Sequence, residues 1–243
     1  MHEDYFRVTS CQHNGYKYTI FTGIPLKVDS YKINSGKYIV SIRCENQSLP
    51  IKPSVGQQWR VCGVRTLETV QAGDYQLQQH LYDAPAEMEC TLPETGEALI
   101  RFIANEKEFT GVGEAKARAL WDAFGSDLHP MLQSDITKHR ALLRKVLSEV
   151  SVTALYNGYA KYRNLAHANW LASLGVPLSI QQRILKYHDD RTVEILKSNP
   201  YALLGFGMSF PDIDAIAEQM GMEKSAPVRL AAALESAIRK EVE

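Results

Sequence analysis

The residues best placed to do chemistry in this 243-residue chain are Phe109-Thr110-Gly111-Val112-Gly113-Glu114-Ala115-Lys116-Ala117-Arg118-Ala119-Leu120-Trp121. That chemistry is anion binding rather than bond making. Gly111 and Gly113 carry no Cβ, so the backbone of the turn admits close approach by another chain. The turn opens a helix, whose first N–H groups lack intrahelical acceptors and whose positive dipole end favours an anion. A phosphate oxygen fits such a seat, with Lys116 and Arg118 close by. The same residues also suit a tight turn between two packed helices.

The flanks define the elements that must hold this turn. Ala98, Leu99, Phe102 and Ile103 precede it at helical spacing. Ala117, Leu120, Trp121 and Phe124 follow, up to Gly125, a residue type that tolerates a left-handed cap. The pattern resembles the helix-hairpin-helix motif of DNA-binding proteins, with Phe109, Gly111, Val112, Gly113, Ala117 and Leu120 in its slots. The motif's frequent basic residue, two positions after the second glycine, is Ala115 here, with Lys116 next. The resemblance implies backbone phosphate contacts along Gly111, Val112, Gly113, Glu114 and Ala115, and side-chain contacts from Lys116 and Arg118. Val146-Leu147-Ser148-Glu149-Val150-Ser151, followed by Ala154 and Leu155, looks like a second hairpin without its glycines, which favours packing over phosphate binding. It lies in a basic stretch, Ile136 to Arg163, where Lys138, Arg140, Arg144, Lys145, Lys161 and Arg163 face only Glu149. Arg144 and Lys145 are its candidate DNA contacts.

Upstream, the chain reads as strands. Arg7–Cys11, Tyr16–Phe21, Tyr38–Ile42, Trp59–Val64 and Tyr75–Gln78 are short and rich in β-branched or aromatic residues. His13-Asn14-Gly15, Asn34-Ser35-Gly36, Pro53-Ser54-Val55-Gly56 and Ala72-Gly73-Asp74 separate them. Five such strands predict a small OB-like β-barrel over 1–86. Between Tyr5 and Thr66, nine basic residues (Arg7, Lys17, Lys27, Lys32, Lys37, Arg43, Lys52, Arg60, Arg65) stand against Asp29 and Glu45. Tyr16, Tyr18, Phe21, Tyr31, Tyr38 and Trp59 are interleaved with them. Rings beside cations are what a sequence-tolerant single-strand binder uses, and Lys17, Tyr18, Lys37, Tyr38, Arg43 and Arg60 are the candidates. Aromatics filling the barrel and lysines solvating it would give the same pattern.

Composition excludes more than it selects. Apolar content of 45% and charged content of 23% are ordinary for a globular chain, and a net charge of −1 requires local patches for nucleic-acid affinity. Cys11, Cys44, Cys62 and Cys90 have no C-x-x-C spacing, which suggests thiols in a reducing compartment and no metal. No apolar run reaches membrane-spanning length and no signal-peptide pattern opens the chain, so a cytoplasmic protein is expected.

A polar connector, Asp83 to Glu89, leads to an all-α remainder, giving an α+β multidomain chain. Its helical parts are a helix-hairpin-helix domain over 87–165 and a further helical domain over 166–243. In the latter, Pro177 and Ser179 suit a helix start, and Ser198-Asn199-Pro200-Tyr201 ends one helix and begins the next. Asp212 is expected to cap the helix after Gly207, with Gly221 as its stop. The chain ends inside an apparent helix, so more sequence is expected to follow.

In this order the parts resemble the N-terminal region of RecD-like DNA helicases, the longer-tailed kind that functions outside the RecBCD complex. The carrying segments are Val55–Gly63, Leu92-Pro93-Glu94-Thr95-Gly96 running to Phe109–Gly113, and the run from Leu174-Gly175 through Asn199-Pro200-Tyr201-Ala202-Leu203 to Phe210, Asp212, Asp214, Ile216 and Ala217. Arg229 and Ala231 continue it. Ser209 and Ile213 stand where the family has glycine and alanine. The resemblance implies a DNA-binding accessory region of a 5′→3′ helicase of repair or recombination. ATP and magnesium would belong to two RecA-like motor domains that this chain does not contain. Gly36-Lys37 reads as a hairpin turn rather than a P-loop, and no hydrolase or nuclease signature is present, so the chain itself is not expected to be an enzyme. DNA, single-stranded or forked, is the expected partner of a monomer, with a single-strand-binding or other repair protein as a second. Two other readings remain open: a scaffold that docks replication or repair proteins, and a RuvA-type junction binder, which would need two glycine hairpins.

Overall fold

Alternation of apolar and polar side chains sets the first part of the chain into strands, in which every second residue faces a core. The computed structural model describes residues 1–14, 17–26, 38–72, 74–94 and 96–242. Tyr16, Lys27, Asp29, Tyr31, Lys32, Lys37 and the Asn34-Ser35-Gly36 turn lie outside them. The strands are β1 (His2–Asn14), β2 (Tyr18–Pro25), β3 (Tyr38–Glu45), β4 (Gln58–Gly63), β5 (Thr66–Ala72), β6 (Tyr75–Asp83) and β7 (Glu87–Thr91). They form one sheet in the order β5-β6-β3-β2-β1-β4-β7, antiparallel except for the β3–β6 pair. The ladder is open, ending at β5 and β7. Only Val64 and Arg65 separate β4 from β5, however, so the chain itself carries one end of the ladder round to the other. The arrangement is broadly OB-like.

Phe6, Val8, Phe21, Val40, Ile42, Trp59, Val61 and Tyr82 fill its interior. Phe21 packs on Trp59 with ring centroids 5.0 Å apart. Opposite a bulge between Val8 and Ser10, a Cβ on Gly23 would stand 2.2 Å from the Arg7 carbonyl oxygen, so only glycine fits there. Two strands went unread in the sequence. β7 overlaps the end of the expected polar connector, and it is held by pairing with β4 in the register Trp59↔Cys90. β5 leaves Leu67 exposed. Both are edge strands, whose partners rather than whose own pattern define them. All four thiols are free, and burial pushes Cys11 up to about 11 and Cys44 up to about 12.

A buried polar cluster occupies the β4–β5 corner. Tyr82 donates to Asp4 Oδ2 at 2.7 Å, and His80 Nδ1 lies 2.9 Å from the same oxygen. The same ring nitrogen lies 3.2 Å from Arg65 Nη1. Arg65 Nη1 stands 3.8 Å from Asp4, and Tyr38 stacks on His80 at 4.0 Å. Burial alone would raise the Asp4 pKa. The hydrogen bonds from His80 and Tyr82, with the charges of His80 and Arg65, outweigh it and hold the carboxyl below its usual value.

The helices are α1 (Gly96–Asn105), α2 (Glu114–Phe124), α3 (Leu128–Gln133), α4 (Thr137–Leu143), α5 (Glu149–Arg163), α6 (Leu165–Ser173), α7 (Leu178–His188), α8 (Thr192–Ser198), α9 (Phe210–Gln219) and α10 (Pro227–Val242), with 3-10 turns at Gly125–Asp127, Asp189–Arg191 and Pro200–Phe206. The chain divides into two compact units, Met1–Leu165 and Ala166–Glu243. Within the first, the sheet and α1–α5 are tied by buried hydrogen bonds. Trp59 Nε1 donates to Gln57 Oε1 at 3.0 Å, Gln57 Nε2 donates to the Tyr162 hydroxyl at 2.8 Å, and that hydroxyl donates to Glu106. Lys161 closes the series, 3.3 Å from Glu106 and 3.0 Å from Glu108.

The helical architecture is built twice. Gly111, α2, Gly125 and α3 recur 64 residues on as Gly175, α7, Asp189 and α8. The caps repeat as well: the N–H of Gly125 reaches Trp121 O, and that of Asp189 reaches Leu185 O. Gly125 has φ 52° and ψ −130°, while Asp189 has φ 50° and ψ −127°, a glycine conformation held by a non-glycine residue. In the second unit Leu171, Val176, Ile180, Ile184, Leu196, Leu203, Ile213 and Ile216 form the core. Its glycines make paired C-caps. Val176 N bonds Leu171 O and Gly175 N bonds Ala172 O, a pattern repeated at Gly207–Met208 and Gly221–Met222. Tyr201 donates to Asp214 at 2.6 Å, and Arg229 clamps the same carboxylate at 2.7 and 2.8 Å, pinning α10. Ser209, not Asp212, is the N-cap of α9. Its hydroxyl accepts from Asp212 N at 3.4 Å and donates to the Asp212 carboxylate.

Replacing Asp4 by Asn should cost about 3 kcal/mol at neutral pH, because Arg65 loses its counter-charge in a buried setting. A depressed folded-state pKa gives stability that is complete above the unfolded carboxyl range, about pH 4, and is lost as pH falls through the folded value. The gap between wild type and variant in urea unfolding, followed by tryptophan fluorescence, should therefore close on acidification below about pH 4.

Candidate nucleic-acid interface

At the Gly-Val-Gly elbow the apolar slots point in and the glycines point out. Phe109, Val112, Ala117 and Leu120 are buried, while Gly111 and Gly113 are exposed. The Phe109 ring meets Phe102 edge-on at 5.7 Å and stacks on Tyr159 at 6.0 Å. Gly158 of α5 lets that ring come close, since a Cβ there would stand 2.9 Å from it. The two glycines differ in what they need. Gly111 has φ +79°, and a Cβ on it would meet Ser151 Oγ at 2.8 Å. Gly113 is in extended backbone, and a Cβ on it would meet nothing within 4 Å.

Gly113 is the N-cap of α2 and has no side chain to cap with. Val112 N bonds Phe109 O and Ala117 N bonds Gly113 O. Among the described residues none accepts from the N–H groups of Gly113, Glu114, Ala115 or Lys116. Lys116 folds back so that Nζ donates to Gly111 O at 2.7 Å, which brings its charge to the elbow. Arg118 is turned away, 3.2 Å from Glu97 and 3.7 Å from Glu114. The Arg118 guanidinium and Arg101 hold the Glu97 carboxyl below its ordinary value, Arg101 contributing most.

The second hairpin lacks the left-handed residue of the first and is capped by its own side chain. Ser148 caps α5, accepting from Ser151 N at 3.3 Å, so the seat left open at Gly113 is filled by the chain's own hydroxyl. In the second unit, Pro177 holds the place of Gly113 and has no N–H to offer, while Ser209 caps itself as Ser148 does. Of these four turns, the one at Gly111–Gly113 alone has at its N-cap a residue with neither a capping side chain nor a missing N–H.

The basic patches shrink in three dimensions. Arg60 lies 2.6 Å from Glu3 and 3.0 Å from Glu87, Arg43 lies 3.9 Å from Asp83, and Arg65 sits in the Asp4 cluster. Those acids flank the Tyr5–Thr66 window in sequence, so counting within it overstated the field. Tyr38 is core rather than platform, stacked on His80. Tyr18 is half-buried, with Lys17 Nζ 5.4 Å and Arg43 5.6 Å from its ring centre. In the helical stretch, Arg140 binds Asp135 through two bonds of 2.6 and 2.8 Å, Arg163 lies 3.8 Å from the same carboxylate, and Arg144 pairs with Glu149. Among the described residues Lys138 and Lys145 carry no ion pair. Lys37 lies outside the described residues. No group of His, Cys, Asp and Glu among the described residues could hold a metal, and no helix is long and apolar enough to cross a membrane.

Residues 161–243 match the family model of the ATP-dependent RecD2 DNA helicase HHH domain. The match spans the second copy of the helical repeat and α10; the Gly-Val-Gly elbow lies in the first copy, outside it. No curated protein and no solved structure matches the chain.

The two glycines should separate structure from surface. Gly111→Ala is expected to destabilise by about 1–2 kcal/mol, from its left-handed backbone and the Ser151 clash. Gly113→Ala should fall within about 0.5 kcal/mol of wild type. Urea midpoints of the two variants measure the difference.

Proposed function

We propose that this chain is the DNA-binding accessory region of a RecD2-like helicase, and that it holds one nucleic-acid strand at the Gly111–Gly113 elbow. The observation that carries this reading is the set of amides at the start of α2 that nothing else among the described residues uses. A phosphate oxygen accepts from such amides, gains from the helix dipole, and needs the missing Cβ of Gly113 to reach them. Lys116 supplies the counter-charge. Its bond to the Gly111 carbonyl holds the ammonium beside the seat without filling it. The family match at 161–243 supports the helicase context.

One open elbow beside a self-capped one favours one strand over two. Each hairpin of a matched pair would grip a separate strand of a duplex, and Ser148 has closed the second grip. A single strand, or the single-stranded arm of a fork, is therefore the proposed substrate. Unwinding itself would fall to motor domains elsewhere in the parent protein. A RuvA-type role, which needs two open hairpins, loses its basis.

Binding of a fluorescently labelled oligonucleotide to the full chain, read by anisotropy, tests the proposal. Gly113→Val combined with Lys116→Ala should weaken binding roughly tenfold, uniformly across sequences. It should also make the log–log salt dependence shallower by about one unit for the lost cation. Unchanged affinity would overturn the elbow assignment. If wild type shows no affinity at low salt but retains a protein partner after nuclease treatment, the scaffold reading replaces this one.

A further inference from the structure

The second copy of the helical repeat has lost its elbow amide to Pro177, yet it carries a surface feature that the first copy lacks. Tyr187, near the end of α7, is 77% exposed. Its ring is held by two others: His188 at 4.7 Å and 85°, and Phe206 at 6.0 Å and 69°, with His188 and Phe206 in turn 5.8 Å apart. Both neighbours stand close to perpendicular to it, so no parallel ring covers its face. Such edge-on packing fixes an aromatic ring while leaving a face in solvent.

The surroundings are cationic and low. Arg183 lies four residues before Tyr187 on the same helical stripe, about 6 Å along the axis. Its Nε donates to Ser179 O at 3.2 Å, and its two Nη atoms lie 3.8 Å from where a Cβ on Gly207 would stand. Lys186 is exposed beside it. Neither cation has an acidic partner among the described residues. Gly205 and Gly207, on either side of Phe206, are exposed, and at Gly205 a side chain would meet nothing within 4 Å. The acids of this corner, Asp189 and Asp190, follow the ring directly, at the same C-terminal end of α7. Asp189 keeps its strained φ of 50° there. In the first copy the positions 64 residues earlier are Ala119, Asp122 and Ala123 in place of Arg183, Lys186 and Tyr187.

We infer that Tyr187, backed by His188 and Phe206 and flanked by Arg183 and Lys186, is a stacking site for an unpaired base of a single-stranded nucleic acid. A protein-docking surface would present contiguous aliphatic area, whereas here one open ring stands between unpaired cations and bare glycine backbone. That combination fits a polyanion with flat faces. A duplex keeps its base faces inside the stack, so the ring selects unpaired bases. The two copies of the repeat then divide the work, the first holding backbone and the second holding a base. This inference rests on the reading of the chain as a DNA binder.

The test uses the full chain with a short labelled oligothymidylate and an abasic strand of the same length, by anisotropy at low salt. Tyr187→Ala should weaken oligothymidylate binding roughly tenfold and leave the abasic strand unaffected, whereas Tyr187→Phe should keep the wild-type difference between the two. Arg183→Ala should weaken both strands. Because Tyr187 is exposed, its removal leaves the fold intact, which circular dichroism checks. Unchanged oligothymidylate affinity in Tyr187→Ala overturns the stacking site, as does an equal loss in Tyr187→Phe. Gly113→Val separates the two ideas, since it should lower binding of both strands alike. If it has no effect while Tyr187→Ala does, the elbow fails and the stacking site stands. If wild type binds neither strand, both fail.

Discussion

The first N–H groups of a helix must find acceptors somewhere, and how each helix of this chain meets that demand decides what its turns can do. At Ser148 and Ser209 a hydroxyl of the cap residue accepts from an amide three positions on, and the end is closed. At Pro177 the cap residue brings no N–H at all. At Gly113 there is neither a side chain to cap with nor a ring to obstruct, so the demand is passed outward. The helix starts thus differ by the chemistry of one residue each.

Everything behind the elbow serves to hold it still. Phe109 and Val112 anchor the turn from below, and Gly158 lets α5 lie against Phe109 closely enough to do so. Glu106, which begins the approach to the turn, accepts from the Tyr162 hydroxyl, and Gln57 carries that hydrogen-bond chain into the sheet. These groups are buried, so each bond also avoids the cost of an unpaired polar atom in a low-dielectric interior. Sheet and hairpin therefore behave as one compact unit.

Electrostatics in this protein is a matter of neighbours. Stretches that look strongly basic in sequence are largely neutralised by acids from flanking segments: Glu3, Asp4, Asp83 and Glu87 for the strands, Asp135, Glu106 and Glu108 for the helices. Cations without an ion pair, Lys138, Lys145, Arg183 and Lys186 among them, are scattered over the described residues. A chain with a net charge of −1 offers nucleic acid a few placed cations rather than a broad field.

Sequence alone determined the α+β character, most of the strands, the elbow with its flanking helices, and the glycines that stop α2 and α9, because these depend on local periodicity and on residues with special backbone freedom. The edge strands β5 and β7 were illegible, since an edge strand is defined by the partner it pairs with. The 64-residue repeat was hidden because only its cap geometry and core positions persist, with Asp189 holding a backbone that Gly125 holds in the first copy. Tyr38, which the sequence left open between stacking ring and barrel filling, is core, and Tyr187 is exposed. A single aromatic residue carries no mark of which way it faces, because that depends on which other elements fold against it. Whether Gly113's amides are free was likewise decided only in three dimensions, where each neighbouring acceptor either reaches them or does not.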